Sequence, residues 1–217
     1  MKNIMIILIA LFFSAQTFGG AETGHGGGAV ECIDPLTGVK QIELLDLYMG
    51  EAHGFTIDRT NEISVEDQIK TALKKIKDGP PKSDLGRTIQ DSLKSTMNKA
   101  RMVMTDEPSF PVPTDAGILD LKENCKLVGV ALYKDNFWGP DTLKINYKIY
   151  SQLTNTDKAA LWIHEDVYAL FRSGIKVWSS VPFQRFVAVT FSRSEDYFTP
   201  KWPPPKNIKI GPSSKKD

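Results

Sequence analysis

Cys32 and Cys125 are the only two cysteines in this 217-residue chain, and a bond between them would hold residues 32 and 125 together whatever else the fold does. Whether they join depends on the compartment. Behind a single positive charge, Lys2, the residues from Ile4 to Phe13 include no polar side chain, and small and polar residues follow up to Ala21. That is the layout of a secretory signal peptide. An apolar stretch of about 10 residues covers only about half of a bilayer core as a helix, which makes a permanent anchor the weaker reading. Cleavage after Ala21 puts Gly19 at the third position back, where small side chains are required; cleavage after Gly19 is the alternative. The chain is therefore expected to be exported, to the periplasm or the cell exterior, with no integral membrane segment after processing. In an oxidising compartment an even cysteine pair reads as one disulfide, and free buried thiols are the other reading. Neither cysteine has a second ligand at short spacing, so a cysteine-based metal site is not expected. Closing so long a loop is worth about 4 kcal/mol on the chain-entropy account.

Removing Lys2 with the signal takes 27 basic residues to 26, against 26 acidic ones, a formal charge of zero. Without a net field, nucleic acid is excluded as a general partner, as is electrostatic adhesion to anionic membranes. The mature chain of about 195 residues is long enough for one domain with its own core.

The expected organisation is a signal peptide over 1–21, a flexible glycine-rich leader over 22–28, a single α+β domain over 29–199 and a mobile Pro/Lys-rich tail over 200–217. Val30–Ile33 and Val39–Leu44 flank Asp34-Pro35-Leu36-Thr37-Gly38 and read as a hairpin. Ile42, Leu45 and Tyr48 fit a short helix ending near Gly50 or Gly54. Ser64 and Asp67 open an amphipathic helix through Ile76, stopped by Gly79-Pro80-Pro81. A second helix is predicted from Ser83 or Asp84, with Leu85, Ile89, Leu93, Met97, Ala100 and Met104 on one stripe. Residues 107–117 read as loop. Lys126–Tyr133 reads as an interior strand, paired antiparallel with a half-buried strand in which Leu143, Ile145, Tyr147 and Ile149 alternate with polar residues. Thr154 or Asn155 caps a helix through about Arg172. Residues 183–192 suit a helix and a strand equally. The fold class is α+β, a small antiparallel sheet packed with several amphipathic helices.

One stretch carries chemistry, His164-Glu165-Asp166-Val167-Tyr168. On a helical wheel Ala160, Ile163, Val167, Leu170 and Phe171 form the buried stripe, with His164 at its edge, Tyr168 one turn on, and Glu165 pointing away. An apolar strand followed by a helix bearing His-Glu resembles the core of the zincin metallopeptidases. That resemblance implies zinc as cofactor, His164 as a metal ligand and Glu165 as the catalytic base. The second ligand position holds Tyr168, a poor neutral-pH ligand, and Asp166 puts a charge where the family favours uncharged residues. Glu195 or Asp196 would have to complete the set; the other histidines are His25, in the leader, and His53. The competing reading makes His164, Glu165 and Tyr168 a structural polar cluster, with Glu165 paired to a lysine.

A wider resemblance rests on the Gly-Gly leader, the Val30-Glu31-Cys32 strand, Leu44-Leu45-Asp46-Leu47-Tyr48, and Lys158-Ala159-Ala160-Leu161 leading into His164-Glu165 and Tyr168. These motifs are similar to a group of uncharacterised exported proteins of Gram-negative bacteria, which implies a domain but no reaction. Trp138, Trp178, Tyr197, Phe198 and Trp202 are aromatic residues of loops and tail, the kind that mark a contact surface for an envelope or extracellular protein. Two functions follow from different classes. One is a non-catalytic binding protein without a cofactor. The other is a divergent or degenerate zincin-like hydrolase.

Overall fold

Asp34 turns the chain back on itself: its Oδ1 accepts from the N–H groups of Leu36 and Thr37 at 2.9 and 2.7 Å, and Gly38 takes a positive φ of 68°. The flanking strands are β1 (Gly28–Ile33) and β2 (Lys40–Leu44), antiparallel as expected. The computed structural model describes residues 27–78, 91, 101–106, 110–112, 121–134, 142–172 and 181–193. The signal run, most of the predicted 83–104 helix, Trp138, Trp178, Glu195, Asp196 and the tail lie outside them.

The fold is α+β, and the described residues form two three-stranded sheets where one was expected. In the first, β1 lies between β2 and β4 (Cys125–Gly129), all antiparallel, and Cys32 faces Cys125 in register. The two cysteines form a disulfide, with Cα atoms 4.0 Å apart. The second sheet runs β3 (Arg101–Thr105), β6 (Thr142–Asn146), β5 (Ala131–Lys134). There β5 and β6 are antiparallel, while β3 and β6 are parallel.

Three sequence expectations are corrected by this arrangement. The apolar run Lys126–Tyr133 is two strands in different sheets, divided at the buried Val130, whose N–H goes to Gly27 and whose carbonyl accepts from Asn146. Residues 101–105, including Met104 of the predicted helical stripe, form a strand, because pairing with β6 supplies backbone partners and Val103 and Thr105 are β-branched. The alternation through Tyr147 and Ile149 does not continue as strand. The Asn146 side chain accepts the Ile149 N–H at 3.4 Å and starts the short helix α3 (Tyr147–Tyr150).

The other helices whose bounds lie among the described residues are α1 (Leu45–Ala52), α2 (Val65–Asp78), α4 (Asn155–Arg172) and α5 (Val181–Phe191), which makes the ambiguous 183–192 segment helical up to Phe191. Ser64 caps α2, its Oγ accepting from the Asp67 N–H at 3.1 Å, and Thr154 caps α4 by the same bond to Asp157. α1 and α2 each pack against both α4 and α5, and α4 also meets α5. The core gathers Leu44 and Leu47, Val130 and Ile145, and Leu161, Ile163 and Val167 of α4 with Val187 of α5. Among the described residues no helix is long and apolar enough to cross a membrane.

Candidate functional site

For two turns α4 has no solvent face. From Ala159 to Tyr168 every residue except Trp162 is buried, so Glu165 and Asp166, each 1% exposed, lie inside the protein with His164 and Tyr168. The expectation that Glu165 points away from the buried stripe and pairs with a lysine is therefore overturned. β2, α1, α2 and α5 pack around α4, and buried polar groups must then find partners inside.

Those partners come from distant chain. His164 Nδ1 lies 2.7 Å from Oδ2 of Asp46 on α1, both side chains nearly inaccessible. Glu165 Oε1 accepts the backbone N–H of Gly27 at 2.7 Å. Tyr168 lies over His164, with ring centroids 6.3 Å apart and planes 17° from parallel, and its other side meets Phe183 of α5 edge-on. Burial pushes the Glu165 carboxyl up to about 7; the His164 imidazole and the Gly27 N–H pull it down, and Asp46 pushes it up further.

A second buried charge group closes the N-terminal end of α4. Asp157, fully buried, accepts the Leu44 N–H at 3.0 Å and faces Arg59 Nε at 3.4 Å. Arg59 also reaches Glu51 at 2.5 Å and Glu43 at 3.1 Å. Burial works against the guanidinium charge, but Asp157 and Glu43 outweigh it and hold Arg59 above its ordinary range; burial moves the Glu43 carboxyl upward.

The fold thus brings His164, Glu165 and Tyr168 together, and Cys32 with Cys125. His53 is elsewhere, at the C-terminal end of α1. Sequence reasoning missed Asp46, Gly27, Arg59 and Asp157 as members of these clusters. Asp46 carried a legible sign, an acid inside the apolar Leu44-Leu45-Asp46-Leu47, where a charge must be paired. Gly27 carried none: the glycine-rich leader was expected to be flexible through Gly28, yet Gly27 is buried and β1 begins at Gly28.

Chemically, a carboxyl raised to about 7 next to an imidazole held at Nδ1 by Asp46 combines the residue types used in acid–base catalysis. It lacks access. The described surface holds a cleft of about 620 Å³ lined by Lys40, Asn146, Tyr147 and Lys148 and one of about 230 Å³ lined by Asp58, Gln68 and Lys75, and neither is lined by His164, Glu165 or Tyr168. Among the described residues no three His, Cys, Asp or Glu side chains converge as a ligand set, and Tyr168 lays its ring against the imidazole. No protein-family model, curated protein or solved structure matches the chain.

Proposed function

We propose that this chain is exported to the periplasm or the cell exterior and binds another envelope or extracellular protein there without catalysing a reaction. His164, Glu165 and Tyr168, joined by Asp46, act as a structural polar cluster. The observation that carries this reading is the commitment of Glu165: the only candidate base is 1% exposed and bonded to the backbone of Gly27, 138 residues away. A buried residue that ties the start of the described chain, just ahead of β1, to α4 secures the fold. The disulfide supports export, since such bonds persist in oxidising compartments.

The β1–β2 tip supports a binding role. Leu36 is 93% exposed and Val39 and Ile33 follow at 64% and 47%, on a turn stiffened by Asp34 and by the Cys32–Cys125 bond behind it. A rigid apolar tip loses little entropy on docking. A photo-reactive residue at Leu36 of the exported protein should give a discrete protein adduct in cells that excess mature protein competes away. No adduct from either Leu36 or Val39 would refute the tip as a contact.

The zincin-like hydrolase reading retains one observation in its favour: a carboxylate holding Nδ1, as Asp46 does for His164, is how metal-ligating histidines are oriented. The two readings separate in the mature protein purified without added metal. The structural reading expects Glu165→Ala to lower the unfolding midpoint and zinc to be substoichiometric. Near-stoichiometric zinc that disappears in His164→Ala would establish the metal enzyme instead.

A further inference from the structure

Gly27 is held at both of its backbone groups. Its N–H donates to Glu165, and its carbonyl accepts from the N–H groups of Val130 and Ala131 at 2.9 and 3.0 Å. It is a glycine for want of room: a Cβ there would stand 2.3 Å from Leu161 Cδ1 and 2.8 Å from Glu165 Oε1. The socket is therefore shaped around a bare backbone nitrogen.

That nitrogen serves the carboxylate poorly. Glu165 Oε2 is buried and has no hydrogen-bond partner among the described residues. A peptide N–H brings one proton and no charge, whereas a carboxylate accepts at both oxygens and, when buried, is best satisfied by a cation. Asp46, which holds His164, is a second carboxyl close enough to push Glu165 upward. An α-ammonium at the same position would bring three protons and a positive charge to the carboxylate. The residues ahead of it, Thr23-Gly24-His25-Gly26, include two glycines and offer a peptidase cleft little to exclude.

We infer that Gly27 is the N-terminus of the working protein: after export the Gly26–Gly27 peptide bond is hydrolysed, and the α-ammonium so formed seats against the Glu165 carboxylate. Water adds across the bond, its oxygen ending in the Gly26 carboxylate and both its protons on the Gly27 nitrogen, which becomes –NH3+. The catalyst is a peptidase of the same compartment. This inference rests on the reading of Glu165 as a structural anchor, and the two can fail separately.

The test compares chains that begin at Glu22 and at Gly27, each with Glu165 or Glu165→Gln, at neutral pH. The Gly27 chain should unfold about 3–8 °C above the Glu22 chain, the expected worth of a charge-assisted bond at this size. Glu165→Gln should abolish that gap, and acetylating the Gly27 amine should do the same. N-terminal sequencing of the protein from its own envelope should begin at Gly27. An equal or lower midpoint for the Gly27 chain, a gap that survives Glu165→Gln, or a native N-terminus upstream of Gly27 would each overturn the inference. Glu165→Ala in the Glu22 chain reads the anchor by itself. If it lowers the midpoint while the Gly27 chain gains nothing, the processing step alone is wrong; if it costs nothing, the anchor reading falls, and the processing step with it.

Discussion

Replacing Glu165 by glutamine should remove a pH dependence of stability whose size follows from the burial of this one carboxyl. The side chain is wholly enclosed and its pKa stands at about 7, against 4.5 for the free group. At 1.36 kcal/mol per pH unit the difference corresponds to about 3 kcal/mol. The sign follows from proton counts. Between these two values the folded chain keeps a proton that the unfolded chain has released, so stability falls as pH rises. The contribution is complete below pH 4.5 and is lost as pH climbs through about 7. Glutamine matches the protonated acid in shape, keeps an oxygen for the Gly27 N–H and does not titrate. Urea unfolding of the chain from Glu22, followed by tryptophan fluorescence and circular dichroism at pH 5 and pH 8, measures the effect. Taking the difference between parent and variant cancels every other titrating group. The parent should lose about 2.5 kcal/mol more than the variant over that interval, leaving the variant the more stable of the two at pH 8. Parallel pH profiles, or a parent that gains on the variant as pH rises, would refute the reasoning.

Gly27→Ala should cost about 1–3 kcal/mol by thermal unfolding, because the new methyl must displace Leu161 and the Glu165 carboxylate. Arg59→Met should cost about 3–5 kcal/mol, since it strands Asp157 without its cation in a fully buried position; a loss below 1 kcal/mol in urea titrations would show that Asp157 tolerates solitude. Cys32→Ala with Cys125→Ala should lower stability by about 4 kcal/mol relative to the oxidised parent, a 93-residue separation being closed by the native bond, and reductant should lower the parent by a similar amount while leaving the variant unchanged. Leu36→Asp should leave the unfolding free energy within about 0.5 kcal/mol, its side chain being almost wholly exposed, and should abolish crosslinking from Val39.

Rules that act over a few residues were legible in the chain. Asp34 and Gly38 make the hairpin, Ser64 and Thr154 cap their helices, and the even cysteine pair joins in the expected way. His164, Glu165 and Tyr168 were marked out by residue type and spacing alone, and they do lie together on α4. What could not be read locally was the surroundings of each element. Periodicity assigned Glu165 to solvent because a wheel describes one helix, whereas burial depends on how many neighbours close around it. Lys126–Tyr133 is apolar on both faces, which gives no sign that its two halves join different sheets. Met104 fits a helical stripe and a strand register alike, and only β6 beside it decides for the strand.

The sequence by itself determined the α+β class, the hairpin and the caps, because turn, cap and patterning energies reside within a few residues of one another. Tertiary structure alone decided that Asp46 holds His164 across 118 residues and that Glu165 holds Gly27 across 138. Such pairs form when packing removes water from polar groups and leaves each only the partners that the fold has brought within reach.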